Sequence, residues 1–305
     1  RLQAIRSQYS GSLDKYEDRL SNYGAWQKFV DDTTDPESIV SADILEKAGM
    51  SAGNTLQIPV IDGADVTISN VRTCTIGDDE SSSALVTVTF ATYQFGFTMI
   101  PGQYANNEIG YMADFERKSK RYGKKFAETL DASAIAKLEA DKTVVMNSPF
   151  IGAGAKYGAL VGDAINVGTA QKQFFFNDLG VIMQGDDFEG RYNVIGSTTL
   201  QSTVNQYLNQ GTQNGVNSVF QFGQFDFGYS NRVSVDGAGG KESTAYCMPK
   251  GTLATMNRNI PDAINNETIS ENNWFDLFRY PIVDLDMALR YSKECADNES
   301  AVGGT

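Results

Sequence analysis

A chain of 305 residues that is 41% apolar, with 17 Phe and 14 Tyr, can build a sizeable core in one large or two ordinary domains. Its net charge of −13 disfavours a general nucleic-acid binder, which carries a basic excess to displace counterions. Histidine is absent, which excludes Ser-His-Asp and Cys-His nucleophilic centres and histidine-ligated metal sites.

The three cysteines, Cys74, Cys247 and Cys295, are far apart and odd in number. They show neither metal-ligand nor disulfide-framework spacing, and read as small buried or indifferent thiols in a reducing compartment. No apolar run approaches the length of a membrane helix, and the stretch Arg1 to Arg6 lacks the apolar middle of a secretory signal.

In chain order, residues 1–35 read as a polar arm with one helix, Leu13 to Asp31, that has no partner within its own segment. Asp35-Pro36-Glu37 predicts a helix start, with Asp as cap and Pro in the first turn. Ile39, Ile44, Leu45 and Ala48 give that helix an apolar side, and Gly49 suits its C-terminal cap. Asn54 to Val60 reads as a strand. An acidic excursion follows from Asp62 to Ser83, with Asp78, Asp79 and Glu80 at its loose tip. The chain returns through a long strand, Ser83 to Ile100, with Val86, Val88 and Phe90 on one side and Thr87 and Thr89 on the other. Two strands alone are marginal in water, so this excursion is expected to lie on another chain.

Past Pro101-Gly102 the apolar period changes. Ile109, Met112, Phe115, Tyr122, Phe126, Leu130, Ala134 and Leu138 recur at helical spacing, predicting one helix from Glu108 to Lys142. At 1.5 Å per residue it is roughly 50 Å long, well beyond the usual length in a compact domain. It holds eight Lys/Arg against seven Asp/Glu. Arg117, Lys118, Lys120, Arg121, Lys124 and Lys125 concentrate positive charge on it. They read either as a solvated face partly neutralised by Glu116 and Glu128, or as a surface for a polyanion or an acidic neighbouring subunit.

The Gly- and Ala-rich stretch from Pro149 to Gly168 contains Gly152-Ala-Gly154-Ala-Lys156, which lacks the spacing of a phosphate loop and reads as a hinge between two domains. Short elements follow: Phe174 to Phe176, a loop from Gly185 to Gly190, a strand Tyr192 to Ile195 and a helix Thr199 to Leu208. After an Asn/Gln/Gly-rich stretch, Asn209 to Asn217, aromatics alternate up to Tyr229. Beyond the glycine-rich Asp236 to Gly240 come strands at Ser243 to Met248 and Tyr280 to Met287, then a polar tail. Gly185-Asp186-Asp187 shares the wording of a polymerase metal triplet but reads as a surface turn. Asp284 and Asp286, like Asp78-Asp79-Glu80, could serve catalysis only in a cleft and with a raised pKa. They read as structural or solvated, and no metal, cofactor or enzymatic activity is expected.

The polar arm, the short helix, the strand ending Leu56-Gln-Ile-Pro59, the long β excursion and the long helix form an ordered set. Within it, Phe90-Ala-Thr-Tyr-Gln-Phe-Gly-Phe-Thr-Met-Ile-Pro101 leads to Glu108-Ile-Gly-Tyr-Met112. This set resembles the major capsid proteins of tailed bacteriophages, whose fold also underlies herpesvirus shells. The resemblance implies an α+β fold with an N-terminal arm (1–35), a peripheral domain (36–61 and 85–146) carrying the spine helix (108–142), an extended loop tip (62–84, its flanking strands reaching about 100), an axial domain (147–220), and return strands with a C-terminal tail (221–305). It implies a structural protein, not an enzyme, with no cofactor. Such a protein assembles into pentamers and hexamers of an icosahedral shell around double-stranded viral DNA, in the host cytoplasm, and resides in the virion. Its implied partners are copies of itself, portal, scaffold and decoration proteins, and packaged DNA bound non-specifically, with no membrane. Asp78, Asp79 and Glu80 then belong to a loop interface, and Arg117 to Lys125 meet a neighbour or DNA. The start at Arg1 rather than Met fits a shortened chain, or removal of a scaffolding piece.

Two other readings compete. A β-rich tail or fibre adhesin, or another surface binding module, would explain the Asn/Gln/Gly/aromatic stretch from Gln201 to Tyr229 but not the long charged helix. A carboxylate hydrolase using Asp186, Asp187 or Asp284 would need a deep pocket with two carboxylates roughly 5–10 Å apart if it cleaves glycosides.

Overall fold

A computed structural model describes residues 23–36, 38–51, 54–62, 82–100, 108–142, 148–188, 190–211, 223–235, 240–258, 273–280, 283 and 285–292. The fold is mixed α+β and divides into two compact units. One comprises residues 1–39, 95–255 and 282–284, the other 40–94, 256–281 and 285–305.

The first unit is built on a three-stranded sheet of β3 (Tyr192–Ser197), β4 (Phe225–Ser230) and β5 (Ala245–Pro249), in the order β4-β3-β5. β3 and β4 are parallel, which requires a crossover, and α5 (Thr198–Gly211) leaves directly from the end of β3 to begin it. β5 returns antiparallel on the other side of β3. The central strand is buried at all six positions, as a strand covered on both faces must be.

Two separate cores cover it. On one face α1 (Gly24–Thr33) and the C-terminal half of α3 (Glu108–Asp141) pack Ala25, Phe29, Ala134 and Ile135 against Ile195. On the other, α4 (Phe175–Gly185) and α5 pack Phe176, Leu179, Leu200 and Val204 against Tyr192, Val194 and Phe225. Tyr192, Val194 and Ile195 are each at most 1% exposed. Side chains buried this completely contribute about 1.5–3 kcal/mol each.

α3 explains its own burial. Phe126, Ala127, Leu130, Asp131, Ala134 and Ile135 recur three and four apart and form the buried stripe. Toward its N-terminal half, the extended segment that begins at Phe95 runs along it. Phe95 stacks on Tyr122 and tilts against Phe126, while Phe97 meets Phe115 edge-on and stacks on Tyr122.

Two buried carboxylates join these layers. α1 has no capping side chain of its own at Tyr23, and Asp131 of α3 supplies one in its place. Its Oδ1 accepts the Trp26 N–H at 3.0 Å, while Oδ2 accepts the Ser230 hydroxyl and an Arg232 N–H. A carboxylate at a helix N-terminus satisfies an orphan donor and faces the positive end of the helix dipole. Asp32, at the other end of α1, accepts Asn193 Nδ2 at 2.7 Å, Gly251 N at 3.0 Å and Leu253 N at 3.2 Å. Gly24 and Gly228 let α1 approach β4 closely. A Cβ on Gly24 would stand 2.4 Å from the Tyr229 carbonyl oxygen, and one on Gly228 2.9 Å from the Gly24 oxygen.

The second unit contains α2 (Ala42–Met50) and two two-stranded antiparallel ribbons. β1 (Thr55–Asp62) pairs with β2 (Ser82–Thr89), and β6 (Asn273–Tyr280) with β7 (Leu285–Ser292).

Several expectations are revised by this arrangement. α2 begins at Ala42 rather than at Pro36, because Asp35 is committed elsewhere: its N–H donates to Asp32 O and its carboxylate pairs with Lys250 at 2.7 Å. Gly49 consequently lies inside α2. The β2 ladder ends at Thr89, and residues 91–100 continue without strand pairing. The strand expected from Tyr280 to Met287 is instead the end of β6 and the start of β7, and the sequence between them holds a proline, which has no N–H to give a ladder. Phe174 to Phe176 ends a 3-10 turn and opens α4. The arm helix is described from Gly24 onward, and Leu13 to Asn22 lie outside the described residues, as does the tip holding Asp78, Asp79 and Glu80. No described helix is long and apolar enough to cross a membrane.

Asp131→Ala is expected to destabilise the first unit by about 3 kcal/mol, since it leaves a helix N-terminus, a hydroxyl and a guanidinium without their shared acceptor. Lys137→Ala on the same helix, which removes only an exposed pair with Asp141, should change stability by less than about 0.5 kcal/mol. Chemical denaturation midpoints measure both.

Candidate functional site

The six clustered cations all lie on the N-terminal part of α3, ahead of its buried stripe. Four of them make ion pairs within the helix. Arg117 and Lys118 both reach Asp114, at 3.0 and 2.9 Å, Lys120 reaches Glu116 at 3.5 Å, and Lys125 reaches Glu128 at 3.4 Å. Such pairs at three- and four-residue spacing are weak when exposed. Glu128 is also shared with Arg232 at 3.4 Å. All but Lys120 line an open depression of about 600 Å³, with Tyr122 and Glu128 completing its wall.

A second exposed face lies on α5. Thr198, Gln201, Ser202, Asn205 and Gln206 surround a shallow depression of about 540 Å³. α5 belongs to a stretch, residues 192–225, that carries no formally charged side chain. The helix and its amides are legible in the sequence by composition, whereas the absence of charge is a separate signal. A scan for charge-free windows in this acidic chain finds it.

A third surface is the β1–β2 ribbon. Its register sets Leu56, Ile58, Val60, Ala84, Val86 and Val88 on one face. Val60 is 44% and Val86 48% exposed, so this apolar face is uncovered along its outer part. A face this apolar is what a partner surface offers.

The remaining candidates are placed as follows. Asp186 and Asp187 sit in the turn that closes α4, Asp187 with a left-handed backbone at φ 61°, where Asp is tolerated. Asp284 lies outside the described residues, and nothing is described of the Asp286 side chain. Among the described residues no group of three or more His, Cys, Asp or Glu side chains could hold a metal ion. The loop Gly152 to Lys156 lies inside the first unit rather than between two units. Its N–H groups turn inward: Gly152 N donates to Gly158 O and Ala155 N to Gly152 O. Lys156 pairs with Asp178 and lies 5.1 to 5.7 Å from the centroids of the Phe174, Phe150 and Tyr157 rings. It pins this loop to α4 and presents no phosphate cradle.

At the far end of α3, the Tyr246 hydroxyl donates to Glu139 at 2.6 Å. Lys142 and then Tyr246 hold the Glu139 carboxyl below its ordinary range, while burial and Glu139 push the Tyr246 hydroxyl up. Cys247 stands opposite Val194 in the second core, and burial pushes its thiol up to about 12. At pH 8 the folded protein then holds this sulfur almost entirely as the thiol, whereas a sizeable fraction ionises after unfolding. In a Cys74→Ser/Cys295→Ser background, a thiol reagent at pH 8 should therefore label the native protein at least tenfold more slowly than the urea-unfolded chain.

Among the described residues the geometry thus contains three exposed surfaces suited to contact with other molecules. No family model, curated protein or solved structure matches the chain.

Proposed function

We propose that this chain is the structural subunit of a closed shell, of the kind formed by tailed-phage major capsid proteins. In that role it assembles into pentamers and hexamers of an icosahedral container for double-stranded DNA. The observation that carries the reading is the β1–β2 ribbon. It is a two-stranded sheet with a continuous apolar face, left partly uncovered in the isolated chain. Two strands alone gain too little burial to be stable in water, and a second copy supplies the missing surface. The chain then continues from the ribbon through residues 90–100 into the 34-residue helix α3, the succession that a shell subunit of this kind uses.

The charge-free face of α5 supports the same reading. Around a rotation axis every side chain meets its own images, so a charge near the axis repels itself five or six times over. In a chain of net charge −13, local neutrality favours an interface near such an axis, and amides and hydroxyls can pair with their own kind.

Sedimentation velocity with negative-stain imaging of each peak tests the proposal. Rings of five or six subunits, or closed shells, are expected at high protein concentration or with a scaffold supplied. Discrete elongated trimers would replace this reading with the adhesin. Charge placed on α5 gives a sharper test. Gln201→Glu with Asn205→Asp should shift rings toward monomers at low salt, with partial recovery at about 0.5 M salt, where the Debye length is only a few Å.

A further inference from the structure

The basic face of α3 sits in an acidic molecule, and its arrangement selects a ligand. From Asp114 to Glu128 the helix carries six cations against three carboxylates, a local excess of three. Asp114 serves two cations at once, and Glu128 is divided between Lys125 and Arg232. Arg121 and Lys124 have no ion pair among the described residues, and both line the depression.

The spacing is linear. Arg117, Arg121 and Lys125 are each four residues apart, so at 1.5 Å rise per residue they form a file with steps of about 6 Å and a total span of about 12 Å. Lys124 lies beside the end of the file. A single compact anion would use one step and leave the others unmatched. A nucleic-acid strand presents one phosphate per roughly 3.4 Å of helix axis, so about 12 Å holds three or four phosphates, close to the excess charge. The aromatic neighbour Tyr122, which also lines the depression, stacks on both Phe95 and Phe97, so its ring is partly engaged within the unit.

We infer that this face of α3 binds the phosphodiester backbone of duplex DNA without reading its sequence. The inference deepens the shell reading by naming the surface that meets packaged DNA. Its test uses dispersed protein, so each can fail without the other.

Fluorescence anisotropy of a labelled 20-base-pair duplex, titrated with the full chain between 25 and 200 mM salt, measures the contact. With about three phosphates neutralised, log K against log salt should fall with a slope of about −2.7, or roughly 40-fold weaker binding from 50 to 200 mM. Arg121→Glu with Lys124→Glu should abolish binding, Arg121→Lys with Lys124→Arg should retain it, and Lys137→Glu farther along the helix should leave it unchanged. Circular dichroism of each variant checks that α3 persists. Absence of duplex binding by the wild type at 25 mM salt would overturn the inference. So would an unchanged slope in the double reversal. If the reversal instead disrupts self-association while duplex binding persists, the face belongs to a second copy of the chain. Loss of duplex binding with rings intact supports the site, and duplex binding without any assembly would sink only the shell reading.

Discussion

The interaction on which the first unit depends is the buried carboxylate of Asp131. A carboxylate with no exposure is tolerated only where donors surround it, because taking the ion from water costs several kcal/mol. Here the donors come from three different elements: the backbone of α1 at Trp26, the end of β4 at Ser230, and Arg232 in the turn that follows. The requirement to satisfy one ion therefore fixes where α1 begins, how it crosses α3, and where β4 ends. Hydrophobic burial alone would not specify this. The core that contains Phe29, Ile135 and Ile195 could tolerate small slides, while the donors around Asp131 could not.

Asp32 plays the complementary part at the other end of α1. Its two oxygens take one donor from Asn193 near the start of β3 and two from the segment after β5, Gly251 and Leu253. α1 is thus held at both ends by charge and along its length by close approach of Gly24 to the Tyr229 backbone. Ten residues at the end of an arm expected to have no partner in its own segment become the clasp of the sheet. The Trp26 indole adds a bond to Val283 O at 2.9 Å, drawing in a residue distant in sequence.

What could be read from the chain, and what could not, follows from where the deciding physics lies. The long helix was legible to within a residue, because its apolar stripe and its flanking Pro-Gly are local signals. The β1–β2 pairing was legible from alternation. The separation of β6 from β7 was not, since Tyr280, Ile282, Val283, Leu285 and Met287 keep apolar residues recurring in the sequence and only Pro281 speaks against one strand. The start of α2 was misplaced because Asp35-Pro36 has the composition of a cap. Its carboxylate is taken by Lys250, more than two hundred residues away, and no local rule can see that. Asp32 and Asp131 were passed over for the same reason: a charged residue within a polar segment looks solvated until its donors are assembled around it. Of the interaction surfaces, the cations of α3 were visible as a cluster. The division of Asp114 and Glu128 among several cations, with Arg121 and Lys124 left over, needed coordinates.

The same reasoning accounts for the length of α3. Its C-terminal half is committed to the core, with Ala127, Leu130, Asp131, Ala134 and Ile135 buried. A helix serving only that core could have begun near Tyr122. The preceding four turns are lined by half-exposed side chains, flanked on one side by the Phe95 and Phe97 rings and bearing the cations on their accessible surface. Extending a helix by four turns costs conformational entropy and is favoured only if those turns contact something. Within the unit that contact is the aromatic ladder, which buries apolar area and engages one cation, Lys118, at the Thr98 carbonyl. Asp114, Glu116 and Glu128 answer part of the positive charge through pairs along the helix, each worth a few tenths of a kcal/mol. The excess of three charges is not needed for folding, and like-charged neighbours at this spacing weaken a helix slightly. That excess, on an accessible face, is best explained by an external ligand of opposite sign.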